Sequence, residues 1–271
     1  MARSGSSRFV LIGAAGVALA IAAFNFILPD NSSGPNAPPP DPTEGLIEDA
    51  SAINALGYDY TTWWSGTSDL IQSRNLLETN WVLIFDDSGS MNESQCSNND
   101  AKINVAKQAA VTFVGEIPSA DNVAVYLLNG TPVSGTFKFD TRQAALNQIV
   151  NSYGDGGTPL GFALREGREL LAQQAARQLG YGTYNLVVLT DGAASDANTM
   201  VTETIALFEN TPIELHVIGF CLPNQHALNI EGLVRYYNAS TPELLDEAFG
   251  SILAESGAFD ADSATTFDAG S

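Results

Sequence analysis

The chain has 271 residues, 45% of them apolar, which is enough for one α/β domain with a buried core plus tails. Only 15% are charged, yet 31 acidic residues stand against 11 basic ones, a formal net charge of −20. Such a surface repels nucleic-acid phosphates and anionic lipid head groups, which excludes a nucleic-acid partner and favours cations and basic partners. Solubility in a salty medium would account for the acidity equally well.

Residues 1–8 carry Arg3 and Arg8 and no acid. Phe9–Leu28 then reads FVLIGAAGVALAIAAFNFIL, 20 residues without a charge. At ~1.5 Å per residue a helix of that length spans a hydrocarbon core of about 30 Å. The next basic residue is Arg74, so the positive-inside rule leaves residues 1–8 in the cytoplasm and exports the rest. After Leu28 there are nine basic against 31 acidic residues, a net of −22. Ala18-Leu19-Ala20 offers an A-x-A site for a cleaved, secreted form, but the apolar run continues beyond it to Leu28, which favours an uncleaved signal anchor. Both alternatives place the domain outside the cytoplasm, at a cell surface or in a periplasm.

Residues 29–43 are dense in Pro, Ser and Asn and read as a semi-extended linker. Residues 44–79 contain Tyr58, Tyr60, Trp63 and Trp64, with a helix expected around Ser68–Leu77. Large exposed aromatic patches are uncommon, so this segment is expected to pack on the domain that follows.

From residue 80 the pattern alternates short apolar runs with helical periods. Trp81–Phe85 is a continuous apolar run, the mark of a strand buried on both faces. Ile103, Ala106, Ala110, Phe113 and Ile117 recur at helical spacing. Asn122–Leu128 reads as a strand, Asn129-Gly130 as a tight turn and Val133–Phe139 as its antiparallel partner. Asp140 or Thr141 caps a helix bearing Leu146, Ile149, Val150 and Tyr153. Thr158 opens another, with Leu160, Leu164, Gly167 and Leu171 on one face. Tyr184–Leu189 is a strand, Thr199–Phe208 a helix, Ile213–Phe220 a strand and Val234–Asn238 a weaker one. Thr241-Pro242-Glu243 starts a last helix whose stripe is Leu244, Leu245, Ala248, Phe249 and Ile252. Residues 257–271 are polar and expected to be disordered. The alternation predicts a doubly wound α/β domain over residues 80–256: a mostly parallel sheet, helices on both faces and one antiparallel edge strand. Ligands of such sheets bind at the carboxyl ends of the strands.

The chemistry-bearing residues fall at that end. Directly after the first strand comes Asp86-Asp87-Ser88-Gly89-Ser90-Met91. Asp86, Ser88 and Ser90 place oxygen side chains at alternate positions, which a curved loop can aim at one point. Asp87 lies between them and is expected to face solvent. Thr158 in Gly156-Gly157-Thr158-Pro159 and Asp191 in Thr190-Asp191-Gly192 add two more oxygens. Hard divalent cations take oxygen ligands of this kind.

With these three pieces in order, the chain resembles the von Willebrand factor A (VWA) family over roughly Asn80–Ser256. The family signature is D-x-S-x-S after the first strand, a Thr in a middle loop and an Asp after a later strand. The resemblance implies a Rossmann-like VWA fold and a metal-ion-dependent adhesion site. Ser88, Ser90 and Thr158 would touch a divalent cation through hydroxyls, and Asp86 and Asp191 directly or through water. Mg²⁺ is the expected cation, with Mn²⁺ or Ca²⁺ as substitutes. The sixth position would be left for water or for an Asp or Glu carboxylate donated by a partner protein. Neutral hydroxyls leave the cation undischarged, so an incoming carboxylate gains by completing the shell.

Cys96 follows the first strand and Cys221 ends the strand Ile213–Phe220, which puts both on the metal face. A disulfide between them is permitted outside the cytoplasm and needs Cα atoms within about 7 Å. His216, inside an apolar strand, reads as structural, and His226, in a loop, as solvated. No nucleophile elbow, P-loop, dinucleotide fingerprint or His–carboxylate cluster for activating water is present, so the chain does not read as an enzyme. The expected function is metal-dependent protein binding or adhesion by a membrane-tethered domain. The alternative is a scaffold subunit of a membrane complex, docking through Trp63 and Trp64, in which the metal is secondary.

Overall fold

The computed structural model describes Trp63 and residues 71–129, 139–222, 226–230 and 232–257. The apolar runs become strands β1 (Thr79–Phe85), β2 (Asn122–Leu127), β3 (Thr183–Thr190), β4 (Glu214–Phe220) and β5 (Arg235–Ala239). Helices α1 (Lys102–Glu116), α2 (Arg142–Asn151), α3 (Leu160–Arg177), α4 (Ala197–Asn210) and α5 (Pro242–Gly257) connect or follow them. The described strands form one parallel sheet in the order β2-β1-β3-β4-β5.

Each central strand is apolar on both sides because both faces are covered. Trp81, Leu83 and Phe85 of β1 pack with Phe113 of α1, Ile149 of α2 and Phe249 of α5. Phe113 joins Trp81 edge-on at 5.8 Å and stacks on Phe249 at 4.6 Å. On the other face Val82 and Ile84 pack with Leu164 and Leu171 of α3 and Met200 and Leu207 of α4. Burying each of these large side chains contributes about 2–3 kcal/mol. Gly167 lets α3 approach the sheet: a β carbon there would lie 2.6 Å from Leu186 Cδ1.

β1 and β3 are neighbours, yet the chain leaves them in opposite directions along the sheet, β1 toward β2 and β3 toward β4. This reversal opens a crevice at their carboxyl ends. The loops after β1 and β3, which carry the sequence motif, line it.

Several expectations need correction. Residues 71–77 are not helical. Asn75 Oδ1 accepts the Leu77 N–H at 3.1 Å, a local bond that competes with a helix. The Ser73 N–H donates to Arg177 O at 2.8 Å instead. In α2 only Ala145 and Ile149 are buried; Val150 is exposed, and Tyr153 lies beyond the helix and is exposed. Leu244 is also exposed on α5. The predicted hairpin partner Val133–Phe139 lies outside the described residues apart from Phe139, which is not in a strand. Residues 1–43 and 258–271 lie outside them too, and with them the predicted membrane span 9–28, linker and tail. Among the described residues no helix is long and apolar enough to cross a membrane.

Residues 71–78 run along the amino-end pole of the sheet, held by Arg177 O and by the Gln178 side chain, which donates to Leu76 O and Glu78 O. Trp63 stands edge-on to Tyr184 at the start of β3, with centroids 5.2 Å apart. The described part of 44–79 thus packs on the domain, at the end of the sheet remote from the crevice.

Candidate functional site

Asp86 follows the last residue of β1, and its N–H still pairs with Leu189 O at 3.0 Å. Its carboxylate is fully buried. Oδ1 accepts the Ser88 N–H at 2.8 Å and Oδ2 accepts the Thr190 hydroxyl at 2.7 Å. These bonds curl the loop so that Ser88 Oγ comes within 3.0 Å of Ser90 Oγ. The Ser90 hydroxyl donates to Asp191 Oδ1 at 2.7 Å. A β carbon on Gly192 would lie 3.8 Å from Ser90 Oγ and 3.9 Å from Thr158 Oγ1, so both hydroxyls border one small space beside that glycine. The structure therefore brings Asp86, Ser88, Ser90, Thr158 and Asp191 to one place.

The Thr158 loop is positioned from both sides. Gly89 N–H donates to Gly156 O at 3.1 Å and Asp155 N–H to Asp87 O at 2.9 Å, which joins it to the serine loop. Asn129 Nδ2 holds Gly157 O at 2.7 Å and Asn92 Nδ2 holds Gly154 O at 2.7 Å. The helix it leads into is capped in trans: Asp196 accepts the Gly161 N–H at 3.0 Å and the Phe162 N–H at 2.9 Å. Side-chain oxygens at a helix start satisfy otherwise orphaned donors, and a negative charge suits the dipole there.

Two residues expected in solvent are buried. Asp87 is only 2% exposed, because Asn129 at the end of β2 presents its N–H to Asp87 Oδ1 at 2.8 Å. His226 is buried against the loop after β3. Its Nδ1 accepts the Leu228 N–H at 3.2 Å, which leaves Nε2 to donate to Gly192 O at 3.0 Å. His216 lies in β4 as expected, fully buried, with burial and the Arg235 charge lowering its pKa to about 4.

The site contains a residue that the motif does not. Lys102, the first residue of α1, is buried and places Nζ 2.9 Å from Asp191 Oδ2 and 3.3 Å from Glu93 Oε2. One sequence signal could have found it. A helix N-terminus is the positive end of the dipole and a poor place for an ammonium, so a lysine there answers to something other than the helix.

Cys96 and Cys221 are joined in a disulfide, Cα atoms 5.9 Å apart. The bond ties the loop that follows the serine residues to the end of β4. The Cys221 N–H also pairs with Ala239 O at 2.9 Å.

Electrostatically the site is short of positive charge. Asp86, Asp87 and Asp191 are buried, and the buried ammonium of Lys102 pairs with Asp191 among them. Burial raises the pKa of Asp86 above its ordinary value despite its bonds from Ser88 and Thr190, and the Asp191 charge adds to the rise. Burial likewise raises Asp87, against the lowering effect of Asn129. Among the described residues no group of three or more His, Cys, Asp or Glu side chains is placed to hold a metal ion by itself. The donors here are mostly hydroxyls, and three hydroxyls beside undercompensated carboxylates suit a hard divalent cation such as Mg²⁺.

The sequence profile of the von Willebrand factor type A domain matches residues 80–249. No curated protein matches the chain. Among solved structures it is similar to the pilus adhesin SpaC from Lactobacillus rhamnosus GG, at 14% identity and a TM-score of 0.52, covering 68% of this chain and 31% of that one. It is also similar to a von Willebrand factor type A protein from Catenulispora acidiphila, at 20% identity and a TM-score of 0.51, covering 66% of this chain and 43% of that one. The chain thus spans less than half the length of either, and at these identities the likeness concerns the fold alone.

Proposed function

The chain belongs to the von Willebrand factor type A family, and from that premise we propose that it is a membrane-anchored, extracytoplasmic binding module. It grips a partner protein through a divalent cation held by Asp86, Ser88, Ser90, Thr158 and Asp191. Domains of this family are typically non-enzymatic binding modules, and they commonly take a divalent metal. The observation that carries the reading is the convergence of the Ser88, Ser90 and Thr158 hydroxyls beside the buried Asp86 and Asp191 carboxylates. The cation would act as a Lewis acid that accepts an Asp or Glu carboxylate from the partner. The chain's own residues orient it: Asp86 and Asp191 fix the serine loop, while Asn129 and Asn92 fix the threonine loop. Residues 71–78 meet the domain at the pole opposite the proposed cation face. The scaffold alternative loses one of its anchors, because the Trp63 ring is already engaged with Tyr184.

Thermal unfolding of the full chain in detergent, with Mg²⁺ or Mn²⁺ against EDTA, tests the metal site. Ligand at 100-fold over its dissociation constant adds about 2.7 kcal/mol. A saturable upward shift is expected, lost in Ser88→Ala and Thr158→Val. Asp191→Ala is a poor probe, because it would strand the Lys102 ammonium in a buried position. No shift with either cation overturns the reading. Protection of the domain from added protease in cells stripped of any outer membrane, with the cytoplasmic membrane intact, would overturn the proposed location.

A further inference from the structure

We infer that Lys102 is a built-in counter-cation that weakens the hold on the metal and strengthens the hold on the partner's carboxylate. The inference rests on the metal-dependent reading above and concerns how that site is tuned. Both oxygens of Asp191 are already engaged by the protein. Ser90 Oγ–H takes Oδ1 at 2.7 Å and Lys102 Nζ takes Oδ2 at 2.9 Å. The Asp191 side chain is 0% exposed and that of Lys102 only 4%, so their attraction is poorly screened by water. With its hydrogen directed to Asp191, the Ser90 hydroxyl accepts from Ser88 Oγ at 3.0 Å and keeps its second lone pair for a cation.

The charge balance follows from these contacts. Asp86, Asp87 and Asp191 contribute three buried carboxylates and Lys102 one buried ammonium, which also reaches the solvent-exposed Glu93 carboxylate at 3.3 Å. A divalent cation brings the buried set to neutrality, and an arriving carboxylate then meets no net repulsion. Without the ammonium the same set with its cation would be left with one negative charge. The cation would be held more tightly, and the carboxylate would be opposed. Two costs mark the placement as functional. An ammonium at the first residue of α1 opposes the helix dipole, and a buried lysine loses its hydration. A merely structural tie between helix and loop needs no charge, because an amide or a hydroxyl would serve.

The test uses the full chain and two probes, Mn²⁺ alone and Mn²⁺ with acetate against chloride at equal ionic strength. Free Mn²⁺ is read by electron paramagnetic resonance, and folding by circular dichroism. Lys102→Met, which keeps the length of the side chain, is expected to bind Mn²⁺ about tenfold tighter, the order expected for removing one buried like charge. In the native protein acetate should tighten Mn²⁺ binding, and in Lys102→Met that effect should vanish. Lys102→Arg should keep both native behaviours. If Lys102→Met does not fold, Lys102→Gln, whose amide can still donate to Asp191, is expected to show the same two changes. Equal or weaker Mn²⁺ binding in a folded neutral variant overturns the inference and leaves the metal site standing. An unchanged acetate effect in that variant does the same. Failure of the native chain to bind Mn²⁺ overturns the inference together with the reading on which it rests.

Discussion

The two poles of the sheet both bury polar side chains, but they do so with different chemistry. At the amino-end pole the groups are amides. Asn80 Nδ2 reaches Gln178 Oε1 at 2.8 Å and Thr183 O at 3.0 Å, Asn122 Nδ2 reaches Asn80 Oδ1 at 3.0 Å, and Gln178 Nε2 reaches Glu78 O at 3.0 Å. Donors meet acceptors, the partly exposed Glu78 carboxylate takes a further bond from Asn122 Nδ2 at 3.0 Å, and no fully buried charge is left over. At the carboxyl-end pole the groups are carboxylates and hydroxyls, with one buried ammonium paired to Asp191, and the buried carboxylates outnumber it. A buried polar cluster that satisfies itself stabilises a fold; one left with excess charge is a candidate ligand site.

The sharpest way to break this comparison is at the neutral pole. Gln178→Ala removes the acceptor of Asn80 and the donor of Leu76 O and Glu78 O. Leaving such groups unpaired should cost about 3 kcal/mol, read as a lower denaturant midpoint. The Mg²⁺-induced stabilisation should remain as in the native chain. If it falls in step with stability, the poles are coupled and the division between them fails.

A second probe uses pH. His216 lies on the face shared with Asn185, and its Nε2 has no hydrogen-bond partner, nor do the two amide atoms of Asn185. The fold tolerates this imidazole by keeping it neutral. Its folded pKa of about 4 lies below the ordinary 6.5, so the unfolded chain binds the extra proton between those values. Its contribution is intact above pH 6.5 and is lost progressively as pH falls toward the folded value. From about pH 7 to about pH 5 this one group should lower stability by about 2 kcal/mol. His216→Phe should flatten that part of the pH profile. An unchanged slope in the variant would assign the acid sensitivity to other groups.

The sequence made the neutral architecture and the motif legible for different reasons. Runs such as Trp81–Phe85 and Leu186–Leu189 are apolar on both registers, which only a strand covered on two faces needs. Asp86, Ser88 and Ser90 were legible because their spacing is local. What escaped was every feature made by distant segments meeting. Asp87 is buried by Asn129, 42 residues away, and His226 by Gly192, 34 residues away. Lys102 meets Asp191 across 89 residues. The helix expected at Ser68–Leu77 is absent over its described part, residues 71–77, because Asn75 Oδ1 takes the Leu77 N–H and the distant Arg177 O takes the Ser73 N–H, donors that a helix would have used. Periodicity reports which side of an element is covered, but not which polar group another loop will bring to it.

Asp87 gives the smallest and most discriminating test, because it is charged yet outside the ligand motif. Its Oδ1 accepts the Asn129 N–H, and Asn129 in turn holds Gly157 O beside Thr158. Asp87→Asn keeps an acceptor in the same place and removes the charge. Burial raises the Asp87 pKa, so its ionised form costs stability at pH values above that raised pKa and the cost vanishes in acid. The variant should therefore be as stable as the native chain at neutral pH, or more stable by less than about 1 kcal/mol. Its Mg²⁺ affinity should fall by a few fold, because one of three negative charges facing the cation has gone. A large loss of stability would mean that the charge strengthens the Asn129 bond more than burial penalises it. Unchanged Mg²⁺ affinity would mean that Asp87 acts on the threonine loop alone, and the carboxyl-end pole would then present two effective carboxylates to its cation.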